Sequence, residues 1–591
     1  MKKGILYMLL FAAVHIATGC SDFLAEENKV DIEKDGFLTT PEQAETVLYG
    51  IYQTTTADAM YGYYLSFYFS MGTDCEQAEG NTTNNWRMLP ANAYPTTQSE
   101  VQQAWRYLYI GIYRANDFLE RISAVYDSFD DKYKDLITVY MAEARALRGL
   151  FYFELVRRFG NIPLVTTTAM SYMDPREATQ EDPAKVYEYI EADLKYAMEN
   201  LPWAAEDSYR KDNSFRFSKG AAMGLLSKVY ATWAGWPVKD TSKWEMAAKT
   251  AGELIMSGKH DLLPEFEQLW ANTCNGTWDP TESLIEISFY SPTYKNSSDP
   301  SGRIGKWNGV KTTAIAGKRG SCAGNQKVVH SFVLDWRAED GVGVEKNGDK
   351  ESDYIYHPDG TNPDGLVDKR RDLSIANYRY DNSLGDGPVL WATEKTNGVV
   401  DPEKSKKSDL DPDKRQKEKQ NYTPAKWDIE KYVETGYLLN NDQSNVNWYV
   451  LRYADVLLIY AEALNEWKNG PTNEAYSAVN KVRRRAYGTT DTTHDLKTGM
   501  DADEFRKAVR KERKYELAFE GHRRLDLVRW DVYYETVMQT RKDQDEWWGA
   551  SANYVVAEYT RKGQHELMPI PQREMDLCTK FDQNPGWKLV K

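Results

Sequence analysis

Histidine and cysteine are scarce in this chain, 7 and 5 among 591 residues, and the scarcity removes whole classes of chemistry. The histidines are scattered singly, and no cysteines stand in a CxxC or Cys/His spacing, so the usual zinc ligand sets are missing. Neither a metal nor a cofactor is expected. The GxSxG, HExxH, Walker A and GxGxxG motifs are absent too, which excludes the commonest hydrolase, metalloprotease and nucleotide-binding signatures. A retaining or inverting glycosidase escapes this test, since it needs only two carboxylates and the chain has 89 acids. Positive charge is also short: 74 Lys plus Arg against 89 Asp plus Glu gives 74 − 89 = −15. A surface with that surplus of acid lacks the basic face that nucleic acid requires, so no nucleic-acid partner is expected.

Long apolar runs are missing after the first twenty residues. The one run present, Ile5–Ala17, follows Lys2 and Lys3 and leads through Thr18 and Gly19 to Cys20. It is too short to span a bilayer, which takes about 20 apolar residues, and reads as a signal peptide over residues 1–19. A Cys directly after the small pair resembles a bacterial lipobox, with Cys20 as the lipidated first residue of a tether over residues 20–36. The alternative is ordinary secretory cleavage with Cys20 a plain thiol. Cys75, Cys274, Cys322 and Cys578 are widely separated, and three pairings are open to them. Four isolated buried thiols is the simpler reading.

What the chain has in excess is aromatic surface. Its 40 Tyr outnumber its 38 Gly, and 18 Trp accompany them. Helical punctuation is dense before residue 260. The spacing predicts helices from a Ser99/Gln102 capping box, over about 133–159 with a stop at Gly160, from Asp182-Pro183, near 218–234, and from a Ser242/Glu245 box to Gly258. Between residues 261 and 448 no helical period persists, and Asp401–Asn421 is charged and solvated. Helices return at Tyr453–Trp467, break at Asn469-Gly470-Pro471, and continue to Ala486, a unit of tetratricopeptide length. A last helix is expected over Ala502–Glu520 with Asp501 as its cap. The fold class predicted is mainly α, paired helices forming a scaffold around one loop-rich, mixed insertion.

Several blocks resemble one family. FLTTPEQAETVLYGIYQT (37–54), RANDFLERI (114–122) and AEARALRGLFYFELVRRFGNIPLV (142–165) are similar to N-terminal blocks of the SusD-like (RagB/SusD) nutrient-binding lipoproteins. RYADVLLIYAEALN (452–465), EGHRRLDLVRW (520–530) and LMPIPQREMDLCTKFDQNPGW (567–587) resemble its C-terminal blocks. The resemblance implies a single body over residues 37–591, with N-terminal blocks 37–260, a variable region 261–448 and C-terminal blocks 449–591. It also implies a surface-exposed outer-membrane lipoprotein that binds oligosaccharide and serves a TonB-dependent transporter of the SusC type.

A sugar offers a C–H face to an aromatic ring and hydroxyls to polar neighbours. Rings inside polar loops are therefore the candidates: Trp86 with Asn84, Asn85 and Arg87, then Tyr94, and in the insertion Trp278, Tyr290, Tyr294 and Trp307. Each of them also has a purely structural reading as a loop anchor. Arg523, Arg524, Asp526, Arg529 and Trp530 read as ion pairing that locks the C-terminal block, and His522 and His565 as packed residues. Asp359, Asp364 and Asp368 lack a calcium-loop spacing, and a solvated turn is expected there. The reading is a non-catalytic glycan-binding lipoprotein. Its alternatives are a surface glycoside hydrolase and a tetratricopeptide-like assembly scaffold.

Overall fold

The computed structural model describes residues 38–80, 85–289, 302–314, 320–339, 368–384, 387–391, 395–396, 399–400, 420–433, 444–548 and 554–590. Residues 1–36 with Cys20, Asn84, Tyr290, Tyr294, Asp359, Asp364 and the charged stretch 401–419 lie outside the described residues.

The chain is mainly helical. Six helices come in succession: α1 (Pro41–Thr55), α2 (Ser99–Val125), α3 (Asp131–Phe159), α4 (Pro183–Asn200), α5 (Lys219–Trp233) and α6 (Lys243–Met256). Each packs on the one before it. Helix α6 then packs not on its successors in sequence, α7 (Phe266–Cys274) and α8 (His330–Glu339), but on α9 (Tyr453–Lys468), which continues the stack to α10 (Asn473–Tyr487) and α11 (Ala502–Glu516). The loop-rich region is thus spliced into one continuous helical stack. Its two ends meet as antiparallel strands, β2 (Ser283–Ile287) against β4 (Trp448–Arg452), with Trp448 opposite Ile287.

Side-chain caps set several of these boundaries. Asp182 accepts the Ala184 N–H, Ser218 accepts the Ala221 N–H, and Asp501 with Glu504 forms a capping box. The two boxes expected at Ser99 and Ser242 do not form. Helix α2 already includes Ser99, whose hydroxyl donates to Glu100 at 2.8 Å. At α6 the carboxylate of Asp240 takes both the N–H and the hydroxyl of Ser242, and the Ser242 side chain makes no cap hydrogen bond. Helix α11 ends at Glu516 rather than Glu520, because Phe519 and Gly521 turn through φ of 68° and 77°. The expectation that no helix interrupts residues 261–448 is overturned by α7 and α8.

Inside the stack, Arg148 of α3 donates Nε and Nη2 to Asp193 of α4 at 2.8 Å each and Nη1 to Asn116 of α2 at 2.7 Å. One buried guanidinium thereby fixes the register of three helices. Helices α2 and α3 approach so closely at Gly111 that a Cβ there would lie 2.5 Å from the Phe151 ring. Gly to Ala inside a helix normally stabilises by up to about 1 kcal/mol, whereas overpacking costs about 1–3 kcal/mol. Gly111→Ala is therefore expected to lower the urea midpoint, and a raised midpoint would refute the close approach.

The C-terminal blocks are locked by buried ion pairs, as the Arg/Asp/Trp pattern suggested. Arg529 binds Glu462 at 2.6 and 2.8 Å, Arg513 joins Asp455 to Asp526, Arg523 takes Asp74, and Trp530 donates to Glu462. Burial alone would raise the Asp526 carboxyl, but the guanidinium groups of Arg513 and Arg529 hold it down at about 2. Both His522 and His565 are buried, and burial pushes each imidazole down to about 3. The solvated turn expected at Asp368 is corrected: that carboxylate is buried and receives Arg370 and the Trp336 indole N–H. Cys75, Cys274, Cys322 and Cys578 are buried and unpaired.

Candidate ligand-binding site

The site begins on a backbone irregularity. After α1 the chain makes two successive π-helical turns, Asp58–Gly62 and Tyr64–Tyr68, closed by Gly62 N–H to Ala57 O at 3.1 Å and Phe69 N–H to Tyr64 O at 3.0 Å. A π turn is wider than an α turn, so side chains four and five apart come into register. Here those side chains are rings. Tyr63 stacks on Phe67 at 5.3 Å and 6°, meets Tyr68 at 4.4 Å, and Tyr64 stacks on Tyr68 at 5.3 Å.

Two distant loops extend this cluster at opposite ends. On one side a 3-10 turn over Asn85–Met88 places Trp86 against Tyr68, 5.8 Å and 20° apart, and against Phe67 at 5.4 Å. Arg87 lies 4.7 Å over the Trp86 ring, anchored by its Nε on the Glu79 carbonyl at 2.9 Å. On the other side the insertion docks through Arg303, whose N–H donates to Gly62 O and whose guanidinium binds Asp58. The following turn, with Trp307 N–H on Arg303 O, sets the Trp307 ring 5.9 Å from Tyr63. The result is an unbroken series of rings, Trp86, Tyr68, Tyr63 and Trp307, flanked by Arg87 and by Arg303, which sits 5.0 Å over Tyr63.

Exposure varies along this arc. Tyr63 and Tyr68 form its floor at 7% exposure each, while Trp86, Trp307 and Tyr64 are half-buried. Burial pushes the Tyr68 hydroxyl up to about 12 and raises that of Tyr63 as well, so both phenols keep their protons near neutrality. The Trp307 indole N–H is buried without a hydrogen-bond acceptor among the described residues. Asp58 and Glu79, the two carboxylates bound into the arc's edges, each face a guanidinium, Arg303 at 2.6 Å and Arg87 at 3.9 Å.

The other candidates are placed elsewhere. Tyr94 is buried against Trp587 at 5.1 Å, because the chain after Leu89 dives under the C-terminal ending. Trp278 is half-buried on Phe215 at 6.2 Å, beside Arg216 and the β2 strand. Asn85 opens the turn that carries Trp86. Tyr63, Tyr64 and Tyr68 were not singled out from the sequence, although six aromatics within Tyr61–Phe69 were there to be noticed. A separate recess of about 400 Å³ lies on the outer face of α2, lined by Trp105, Tyr109, Tyr113, Met170, Met173 and Phe581. It contains none of the candidate residues.

Comparison with known proteins agrees with this architecture. A model of the SusD family matches residues 281–587, and one described as starch-binding associating with outer membrane matches residues 22–231. The crystal structure of a SusD homolog from Bacteroides thetaiotaomicron is 60% identical, with a TM-score of 0.86 over 95% of this chain and all of that one. A SusD-like protein of Formosa agariphila is 27% identical over 99% of this chain and 100% of its own. A laminarin-binding SusD-like protein shares the fold at 24% identity and a TM-score of 0.62, covering 92% of this chain and 99% of that one. Matched along both halves of its length, the chain belongs to the SusD family.

Proposed function

We propose that this protein is a non-catalytic glycan-binding lipoprotein of the outer membrane, which captures oligosaccharide on the arc Trp86, Tyr68, Tyr63 and Trp307. The observation that carries the reading is the joining of two half-buried tryptophans, far apart in sequence, into one aromatic series edged by charged and polar groups. Such an arrangement presents flat apolar faces to sugar C–H groups and leaves guanidinium and phenol donors for hydroxyls. The laminarin-binding relative and the family description as starch-binding support the ligand class. Anchoring through Cys20, and delivery to a TonB-dependent transporter of the SusC type, complete the proposal. That Asp58 and Glu79 each face a guanidinium supports the non-catalytic reading.

Isothermal titration against a glycan panel tests the site. Trp86→Ala and Trp307→Ala are each expected to weaken binding about tenfold, equivalent to about 1.4 kcal/mol, with the fold retained because neither ring is core. Unchanged affinity in both variants for a glycan that binds the wild type would remove the arc. Release of reducing ends by the purified protein would replace the non-catalytic reading with a hydrolase.

A further inference from the structure

Beside the arc lies a short strand pair, β1 (Glu76–Ala78) with β3 (Gln326–Val328), in which Gln77 stands opposite Lys327. Alternation along the strands puts Glu76 and Gln326 on one face, where they bond to each other. Gln77, Glu79, Asn325 and Lys327 share the other face, and that face borders the arc. Glu79 anchors the Arg87 that covers Trp86, while the Asn325 main chain bonds both Glu79 N–H and Trp307 O.

Lys327 is the exception among the buried lysines. Lys228 binds Asp455, Lys426 binds Glu520, and Lys306 binds Ser321. Lys327 is 4% exposed, yet no oxygen among the described residues accepts from its ammonium. The half-buried ring of Trp391 lies 5.5 Å away, and its own indole N–H is buried with no acceptor among the described residues. The acids nearby are already engaged: Glu79 faces Arg87 at 3.9 Å and Asp381 faces the Arg379 that lies 4.8 Å over the same ring, while Lys311 is a further cation nearby. Burial pushes the Lys327 ammonium down to about 8, so most of it remains charged at neutral pH. The Lys327 ammonium and the Trp391 indole N–H thus sit together beside Arg379 and Lys311, next to the rings.

We propose that Lys327 and Trp391 form an anion subsite at the edge of the aromatic arc, taking the oxyanion of an acidic oligosaccharide, a uronate carboxylate or a sulfate ester. The proposal rests on the arc being the glycan site and names the ligand class within it. The overall charge of −15 repels such a ligand at long range, so selectivity comes from the buried contact, which salt screens weakly.

The test compares wild type and Lys327→Met by titration with neutral, uronate-bearing and sulfated oligosaccharides of matched backbone. An apolar isostere of a buried, unpaired ammonium keeps the fold, and a thermal melt checks this. One acidic series is expected to bind the wild type at least tenfold more tightly than its neutral counterpart, and Lys327→Met to abolish that preference while neutral binding is unchanged. Which series it is separates carboxylate from sulfate. A preference for neutral glycans, or an acidic preference that survives Lys327→Met, overturns the subsite and leaves the arc standing. If no glycan binds, the arc itself fails, and the subsite is judged alone: the ¹³C-dimethyl signal of Lys327, assigned by its loss in Lys327→Met, must move with sodium glucuronate or glucose 6-sulfate. A signal that moves with neither ends the proposal.

Discussion

Arg452→Met is expected to destabilise the protein by at least about 3–5 kcal/mol, the usual cost of removing one partner from a buried charge pair. The side chain ends β4 and is fully buried, with Nε and Nη2 on Glu520 at 2.7 and 2.8 Å and Nη1 on Glu282 at 2.6 Å and Glu516 at 3.0 Å. It belongs to a network in which Arg370, Arg452, Arg483, Arg485 and Lys426 face Asp368, Glu282, Glu512, Glu516 and Glu520, equal in charge. Methionine fills the volume but leaves five buried acids facing four cations, with Glu282, Glu516 and Glu520 each losing one of the cations that face it. Tryptophan fluorescence should report the loss, since Trp270 lies 5.8 Å from the Arg452 guanidinium. A shift in denaturant midpoint corresponding to less than about 1 kcal/mol would mean that the network is worth far less than its geometry suggests.

The second large effect concerns pH. Burial raises the Glu76 carboxyl from 4.5 to about 8, with Gln326 Nε2 donating to one oxygen. The other oxygen and the Gln326 side-chain carbonyl both lack a partner among the described residues, an arrangement that a protonated Glu76 completes by donating across the pair. The folded chain then holds one proton more than the unfolded chain between about pH 4.5 and 8. Stability is fully present below that window and falls as pH rises through it, by up to about 1.4 kcal/mol per unit. Asp74, two residues away, acts in the opposite sense. Although burial would raise it, Arg523 holds its carboxyl at about 2, so its contribution is present above about pH 4 and is lost as pH falls towards 2. Glu76→Gln preserves the hydrogen bonds without the proton. It should stabilise the protein by a few kcal/mol at pH 8.5, leave stability at pH 4 unchanged, and flatten the alkaline limb of a melting-temperature profile. An unaltered limb would assign that slope to another group, such as Glu286, which burial raises to about 7.

The helical scaffold was legible because its signals are local. Asp182-Pro183, Ser218 and Asp501 each carry a cap in their own side chain, and the α9–α10 pair announces its break at Asn469-Gly470. Where two acceptors compete within three residues, as Asp240 does with Ser242, the pattern alone does not decide which one caps. Helices α7 and α8 escaped because nine or ten residues give too few turns for a period to emerge. Trp86 and Trp307 could be picked out as rings in polar loops, but their meeting depends on a docking contact, Arg303 on Asp58 and Gly62, that no spacing encodes. Tyr63 and Tyr68 were hidden by a different cause. Their π-helical register departs from the 3.6-residue repeat against which a sequence is read, so the run of rings gave no helical period. Tyr94 shows the converse: polar neighbours did not keep it at the surface, since the backbone beneath it turns inward to Trp587.

The β2–β4 stem has a consequence for how such a protein could diversify. Because the excursion leaves and re-enters the stack through adjacent strands, its contents can be lengthened, shortened or exchanged while the two anchor points stay side by side, and closing a longer loop adds only about 0.6 kcal/mol per doubling. Trp307, Lys327 and Trp391 all ride on that exchangeable cassette, whereas Tyr63, Tyr68 and Trp86 belong to the fixed chassis. On the proposed glycan-binding reading, half of the recognition surface is therefore interchangeable and half is shared, which would let one frame be refitted to new nutrients without being refolded.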